Sequence, residues 1–278
     1  LNSKQFYLQS AEDYLCVFER EELDSEEYVL FLHGLFSTKN EKNFVFSRLS
    51  SIFNQNFKYG TMQFDFMAHG DSTGDLSNLN LNLLRKNAED IIRYIYKKTK
   101  KIHLIAHGIG NIIALDLIKH NDFSSVILIN PILEFPNLKQ ALNSYSNNNY
   151  VDLEELMGCH YKYGDSGSWG VEAVFNNPGL HKEFVDLGAI EFDSLPGIVS
   201  KFFLQEISDY FSLQGNIDKA TGVNVISGIQ NTLPIELQLN KHFIDFSDVL
   251  WNDYKAVEEI FELITSIIRD VSNEKNII

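Results

Sequence analysis

The chain has 278 residues, 44% of them hydrophobic and 22% charged, which suits one large soluble α/β domain with an insertion, or two small domains. Its 23 basic and 38 acidic residues leave a net charge of −15, which disfavours nucleic acid and anionic membrane surfaces as partners. Cys16 and Cys159 are too few for a disulfide framework, no apolar run reaches membrane-spanning length, and residues 1–10 carry no signal-peptide pattern, so the expected compartment is the cytoplasm, with no membrane insertion.

Residues 5–8 and 15–19 read as two short strands, followed by an acidic turn over 19–27. Residues 28–32 form a continuous apolar run that stops at His33-Gly34, as a strand buried on both faces would. Residues 44–57 have helical apolar spacing, 61–64 form the next strand, and a polar loop runs from Asp65 to Gly74. Residues 83–98 form an amphipathic helix with Leu84, Ala88, Ile91, Ile92 and Ile95 on one face. A strand over 102–106, a break at Gly108-Ile109-Gly110, a helix over 112–118 and a strand over 125–129 complete the rhythm. Short apolar strands alternating with helices predict a mostly parallel central sheet with helices on both faces.

The rhythm changes over residues 132–218. This stretch reads as a helical cap insertion without sheet-forming units, with helices expected at 153–157 and 199–211. The core pattern resumes over 219–278, with a strand at 223–226 and a closing amphipathic helix at 255–269. The expected organisation is therefore a core in two parts, 1–131 and 219–278, interrupted by the cap.

Three segments at strand ends carry the chemistry. They are Phe31-Leu32-His33-Gly34-Leu35-Phe36, Phe64-Asp65-Phe66-Met67-Ala68-His69-Gly70-Asp71-Ser72-Thr73-Gly74, and Leu104-Ile105-Ala106-His107-Gly108-Ile109-Gly110-Asn111. In that order they resemble the α/β-hydrolase superfamily, and the second resembles serine esterases of the feruloyl esterase and monoacylglycerol lipase type. The resemblance is good over residues 28–131 and weak over the last third. It implies a G-x-S-x-G elbow in which a serine sits on a strained strand-to-helix turn. Here that segment reads Ala106-His107-Gly108-Ile109-Gly110, so the nucleophile position holds Gly108. The plain reading of Gly108 is a tight turn that only glycine tolerates.

The same resemblance puts the acid position at Asn231, after the strand at 223–226, with Asp209, Asp218 and Asp245 as substitutes off the motif. It puts the histidine at His242, only eleven positions on (242 − 231), so the end of the sheet is expected to be shortened or rearranged. It assigns the oxyanion hole to the backbone N–H groups of Leu35 and Ile109, which do not depend on a serine. His33 and His107 are pocket-lining candidates, although His33 and His69 also match positions that hold loops. Tyr145, Tyr161, Tyr163, Trp169 and Phe175 are available to line a roof or to pack the insertion itself.

Neither the histidines nor the two cysteines have a metal-ligand spacing, so no metal is expected. No phosphate-binding glycine motif is complete: position 113 of the G-x-G-x-x-G frame is Ile113, and no cofactor is expected. The implied function is a non-hydrolytic small-molecule-binding or regulatory protein on this fold, with a small acyl, ester or carboxylate ligand or a protein partner. The alternative is a serine-independent esterase, thioesterase, lyase or cyclase-like enzyme with His242 or His107 as base. One inactivating change would alter one residue, whereas serine and acid are both replaced, which points to natural divergence.

Overall fold

The computed structural model describes residues 2–21, 25–132, 134–145, 148–163, 171–189, 197–210, 223–228, 240–245 and 253–275. The chain opens with β1 (Asn2–Ser10) and β2 (Asp13–Glu21), an antiparallel hairpin. Then follow β3 (Glu27–Leu32), α1 (Val45–Phe57), β4 (Gly60–Phe64), α2 (Leu81–Ile95), β5 (Lys101–His107), α3 (Ile109–Leu117) and β6 (Ser125–Ile129). Later come β11 (Val223–Gly228), β12 (Asn240–Ile244) and α8 (Tyr254–Lys275). The eight strands of the main sheet lie in the order β1-β2-β4-β3-β5-β6-β11-β12. The β1–β2 and β2–β4 pairings are antiparallel, and all others are parallel.

The alternation of side chains sorts the core into two faces. Leu30, Leu32, Leu104, Ala106, Val126, Leu128 and Val225 join the cluster that holds α2 and α3. Val29, Phe31, Ile105, Ile127, Ile129, Ile226 and Ile244 join the cluster of α1 and α8. Both clusters are buried, which is why these strands read as continuous apolar runs and not as alternating ones.

Between β6 and β11 lie α4 (Pro136–Ser144), β7 (Tyr150–Asp152), α5 (Leu153–Met157), β8 (Cys159–Tyr163), β9 (Val171–Phe175), α6 (Pro178–Asp186), β10 (Ile198–Ser200) and α7 (Lys201–Asp209). The helices expected near 153 and 201 are present. The expectation that this stretch lacks strands is not met: β7 pairs with β10 and β8 with β9, both antiparallel. Three- and five-residue strands are too short for alternation to stand out in sequence. Leu138, Leu153, Leu180, Phe184 and Phe203 pack into the same cluster as α2 and α3, so the insertion covers that side of the sheet. Its expected end at residue 218 lies outside the described residues.

Candidate functional site

The exits of four parallel strands each carry a residue in the left-handed region: Phe36 (φ 54°) after β3, Ala68 (φ 59°) after β4, Gly108 (φ 56°) after β5 and Asn130 (φ 47°) after β6. Such conformations cost roughly 1–3 kcal/mol each in non-glycine residues and gather where the surrounding structure enforces them. At Gly108, with ψ −124°, β5 passes directly into α3. Gly110 allows that helix to lie against β3, since a Cβ there would stand 2.4 Å from the Leu32 carbonyl oxygen. Strand, strained turn and helix follow one another here without an intervening loop.

The two backbone donors expected to form an oxyanion hole do converge, and they converge on an oxygen of the same chain. The carbonyl of Leu187 accepts the N–H of Leu35 at 2.9 Å and the N–H of Ile109 at 2.8 Å. The reason lies in how α6 ends. Gly188 (φ 87°) closes the helix, its N–H donating to Val185 and that of Ala189 donating to Phe184, which is a Schellman termination. The Leu187 carbonyl is then one of the unsatisfied acceptors at a helix C-terminus, and Ile109 N–H is one of the unsatisfied donors at the start of α3. Each end satisfies the other, and the opposed partial charges of the two helix ends favour the contact.

This approach is possible only because three facing positions lack a Cβ. One added at Gly108 would lie 2.1 Å from the Leu187 oxygen, one at Gly34 would lie 2.6 Å from the Gly188 Cα, and one at Gly188 would lie 2.5 Å from the Gly34 Cα.

His107 is buried beside the elbow, with Nδ1 3.3 Å from an oxygen of the Glu41 carboxylate. Glu41 is fully enclosed and also accepts the Gly34 N–H at 2.8 Å and the Ser37 hydroxyl at 2.7 Å. Burial by itself pushes that carboxyl up, but the His107 and His33 imidazoles and the Ser37 hydroxyl outweigh it and hold Glu41 below the ordinary glutamate value. Sequence reasoning missed Glu41. It lies outside every motif, and its only signal is an acid shortly after a strand that ends in His-Gly.

His33 ties neighbouring loops together. Its Nε2 accepts the Phe66 N–H at 2.9 Å and its Nδ1 meets the Gly34 carbonyl at 2.7 Å, a pair of contacts that fits the neutral Nδ1–H tautomer. Burial drives its pKa below the ordinary histidine value. His69 is tied to the Met67 carbonyl through Nδ1 at 2.8 Å, and its buried Nε2 has no hydrogen-bond partner among the described residues.

His242 lies elsewhere. It sits inside β12, in register with Ile226. It shares the strand parity of Ile244, which belongs to the α1 and α8 face, and its Nε2 meets Asn224 Oδ1 at 3.4 Å. The position suggested for the histidine therefore falls inside a strand, two residues before the end of β12. Burial lowers its pKa.

Asn231, Asp218 and Trp169, and the side chains of Tyr161 and Tyr163, lie outside what is described. Asp209 pairs with Lys139 at 3.5 Å. Tyr145 donates to Glu155 at 2.7 Å, and Phe175 stacks on His181 at 3.9 Å, so these aromatics pack the insertion.

Among the described residues, one group has the spacing to hold a metal ion: Cys16, Asp65 and Asp71. The Lys39 ammonium already sits on both carboxylates, 2.7 Å from Asp65 and 2.8 Å from Asp71. Among those residues no helix is long and apolar enough to cross a membrane.

Comparison with protein-family profiles gives no match, and neither does comparison with curated protein sequences. Solved structures do match. Mouse alpha/beta hydrolase domain-containing protein 10 superposes with TM-score 0.66 at 11% identity, over 96% of this chain and 99% of that one. The monoacylglycerol lipase of Paleococcus ferrophilus gives 0.62 at 17%, over 93% and 98%. Est1E from Butyrivibrio proteoclasticus, with ferulic acid bound, gives 0.60 at 14%, over 97% and 98%. At these identities the likeness concerns the fold.

Proposed function

Since the chain has the α/β-hydrolase fold, we propose that it is a non-hydrolytic member, a binding or regulatory protein in which the elbow no longer carries a nucleophile. The observation that supports this most is at Gly108. The residue at the turn has no side chain, and the place where a Cβ would stand is taken by the Leu187 carbonyl. A serine at this turn would need its Cβ and Oγ where the chain now lies. Fold alone does not decide activity, so the argument rests on this site. The ligand class that suits two converging N–H donors is an acyl, ester or carboxylate oxygen.

The test is hydrolysis of p-nitrophenyl acetate and butyrate by the unmodified chain, with fluorophosphonate labelling alongside. Background rates and no labelling are expected. Turnover above background would overturn the reading.

One observation favours a second reading, a serine-independent enzyme. His107 is held against a buried carboxylate beside the elbow, as a general base would be. His242 lends it no support, since it shares the strand parity of Ile244, on the face of the sheet opposite α3. Turnover that disappears in His107→Ala and persists in His242→Ala would establish this reading.

A further inference from the structure

We propose that the Leu187–Gly188 turn is a built-in occupant of the two-amide site, so that the end of α6 and an incoming acyl or carboxylate oxygen compete for the same N–H groups. This deepens the reading above and rests on it. The occupant itself defines the chemistry: a carbonyl oxygen at 2.8 and 2.9 Å from two N–H groups offers what a ligand's carbonyl or carboxylate would offer.

The bare positions at Gly34, Gly108 and Gly188 let backbone meet backbone there without a side chain intervening. Displacement exchanges one acceptor for another at the Leu35 and Ile109 amides and frees the Leu187 carbonyl to water. No donor is left buried and unpaired, so the closed and open arrangements differ by a modest amount.

The turn is also mechanically connected. Glu183 of α6 accepts the N–H groups of Asn137 and Leu138 at the start of α4, at 2.9 and 2.7 Å. Movement of the α6 end is therefore transmitted into the insertion, and ligand affinity and insertion position are linked reciprocally.

The experiment uses the full chain, labelled with 15N and 13C, and hexanoate as probe. Without hexanoate, scalar couplings across the hydrogen bonds should connect the Leu35 and Ile109 nitrogens to the Leu187 carbonyl carbon, and both amides should exchange slowly. Hexanoate should abolish those couplings as it binds. Gly188→Ala, whose Cβ would meet the Gly34 backbone, should bind hexanoate at least about tenfold more tightly, the equivalent of two ordinary hydrogen bonds no longer contested. Glu183→Gln, which loosens α6 from α4 without touching the turn, should shift affinity in the same direction and serves if the glycine variant does not fold.

Missing couplings with fast amide exchange would overturn the proposal. So would hexanoate binding with the couplings intact, equal affinity in the variants, or no binding by any form. These outcomes are separate from the ester assay: a failed competition with no turnover leaves the non-hydrolytic reading standing, and turnover removes that reading whatever the couplings show.

Discussion

Gly108 combines two constraints that a substitution cannot satisfy together. Its φ of 56° is costly for any residue with a Cβ, and that Cβ would lie 2.1 Å from the Leu187 oxygen. The first costs roughly 1–3 kcal/mol, and the second forces the α6 turn to move. Gly108→Ser is therefore expected to lower the unfolding free energy by at least that amount, read as a lower urea midpoint, and to gain no esterase activity. A stable Gly108→Ser protein that turns over p-nitrophenyl butyrate would mean that the turn yields easily to a side chain. Glu41 is likewise buried and gathers three partners. Replacing its carboxylate with an amide in Glu41→Gln turns one acceptor into a donor that faces the Gly34 N–H, the Ser37 hydroxyl or His107. A lost buried charge-assisted bond of this kind costs about 1–3 kcal/mol, to be read as a lower midpoint at pH 7. Residue types alone do not mark a site. Ser125, His103 and Glu27 form a hydrogen-bonded chain at 2.8 and 2.7 Å, the order of a catalytic triad, yet all three are buried near the starts of their strands, with the Tyr59 ring stacked on His103. They tie β3, β5 and β6 together.

At the scale of elements, the start of α4 depends on a neighbour. Phe135 makes no side-chain cap there, and the N–H groups of Asn137 and Leu138 go to the Glu183 carboxylate on α6. Glu183→Ala should therefore destabilise both helices by about 1–3 kcal/mol and raise amide exchange selectively in α4 and at the Leu35 and Ile109 positions. Uniform exchange across the chain would show that the two helix ends are not coupled through this carboxylate. The central strands and the helices on both faces were legible because each buries a continuous apolar run or a helical stripe: β3, β5 and β6 were expected to within a residue or two. The closing of the site was not legible. It depends on a helix end near residue 187 meeting a turn at 108, a contact between backbone atoms that leaves only unremarkable glycines in the sequence. That His242 lies within a strand was not legible for a related reason: Asn-Lys-His-Phe-Ile is short, of mixed polarity, and carries little periodic signal.

For the molecule as a whole, the buried histidines set how stability responds to acid. His69 is enclosed, its Nε2 faces no hydrogen-bond partner among the described residues, and burial together with the neighbouring His33 lowers its pKa from 6.5 to about 3. His33 is shifted in the same direction by burial. Between about 3 and 6.5 the unfolded chain carries a proton on His69 that the folded chain does not, and His33 acts in the same direction below 6.5, so stability rises with pH across that window and falls as pH drops below 6.5. Each such histidine contributes a slope of about 1.4 kcal/mol per pH unit. Below about 4.5 the buried carboxylates add to the loss, because Glu41, Glu19 and Glu27 all have folded values lowered from 4.5 and are protonated first in the unfolded chain. Urea midpoints measured from pH 8 to pH 4 should therefore be flat above pH 7 and fall steadily from pH 6. His69→Leu gives up the bond to the Met67 carbonyl, which costs about 1 kcal/mol at every pH, but it should reduce the slope between pH 6 and pH 4 by about one proton's worth. An unchanged slope in that variant would mean that His69 takes up its proton in the folded chain as readily as in the unfolded one, and that the layer of loops beneath the site is open to water.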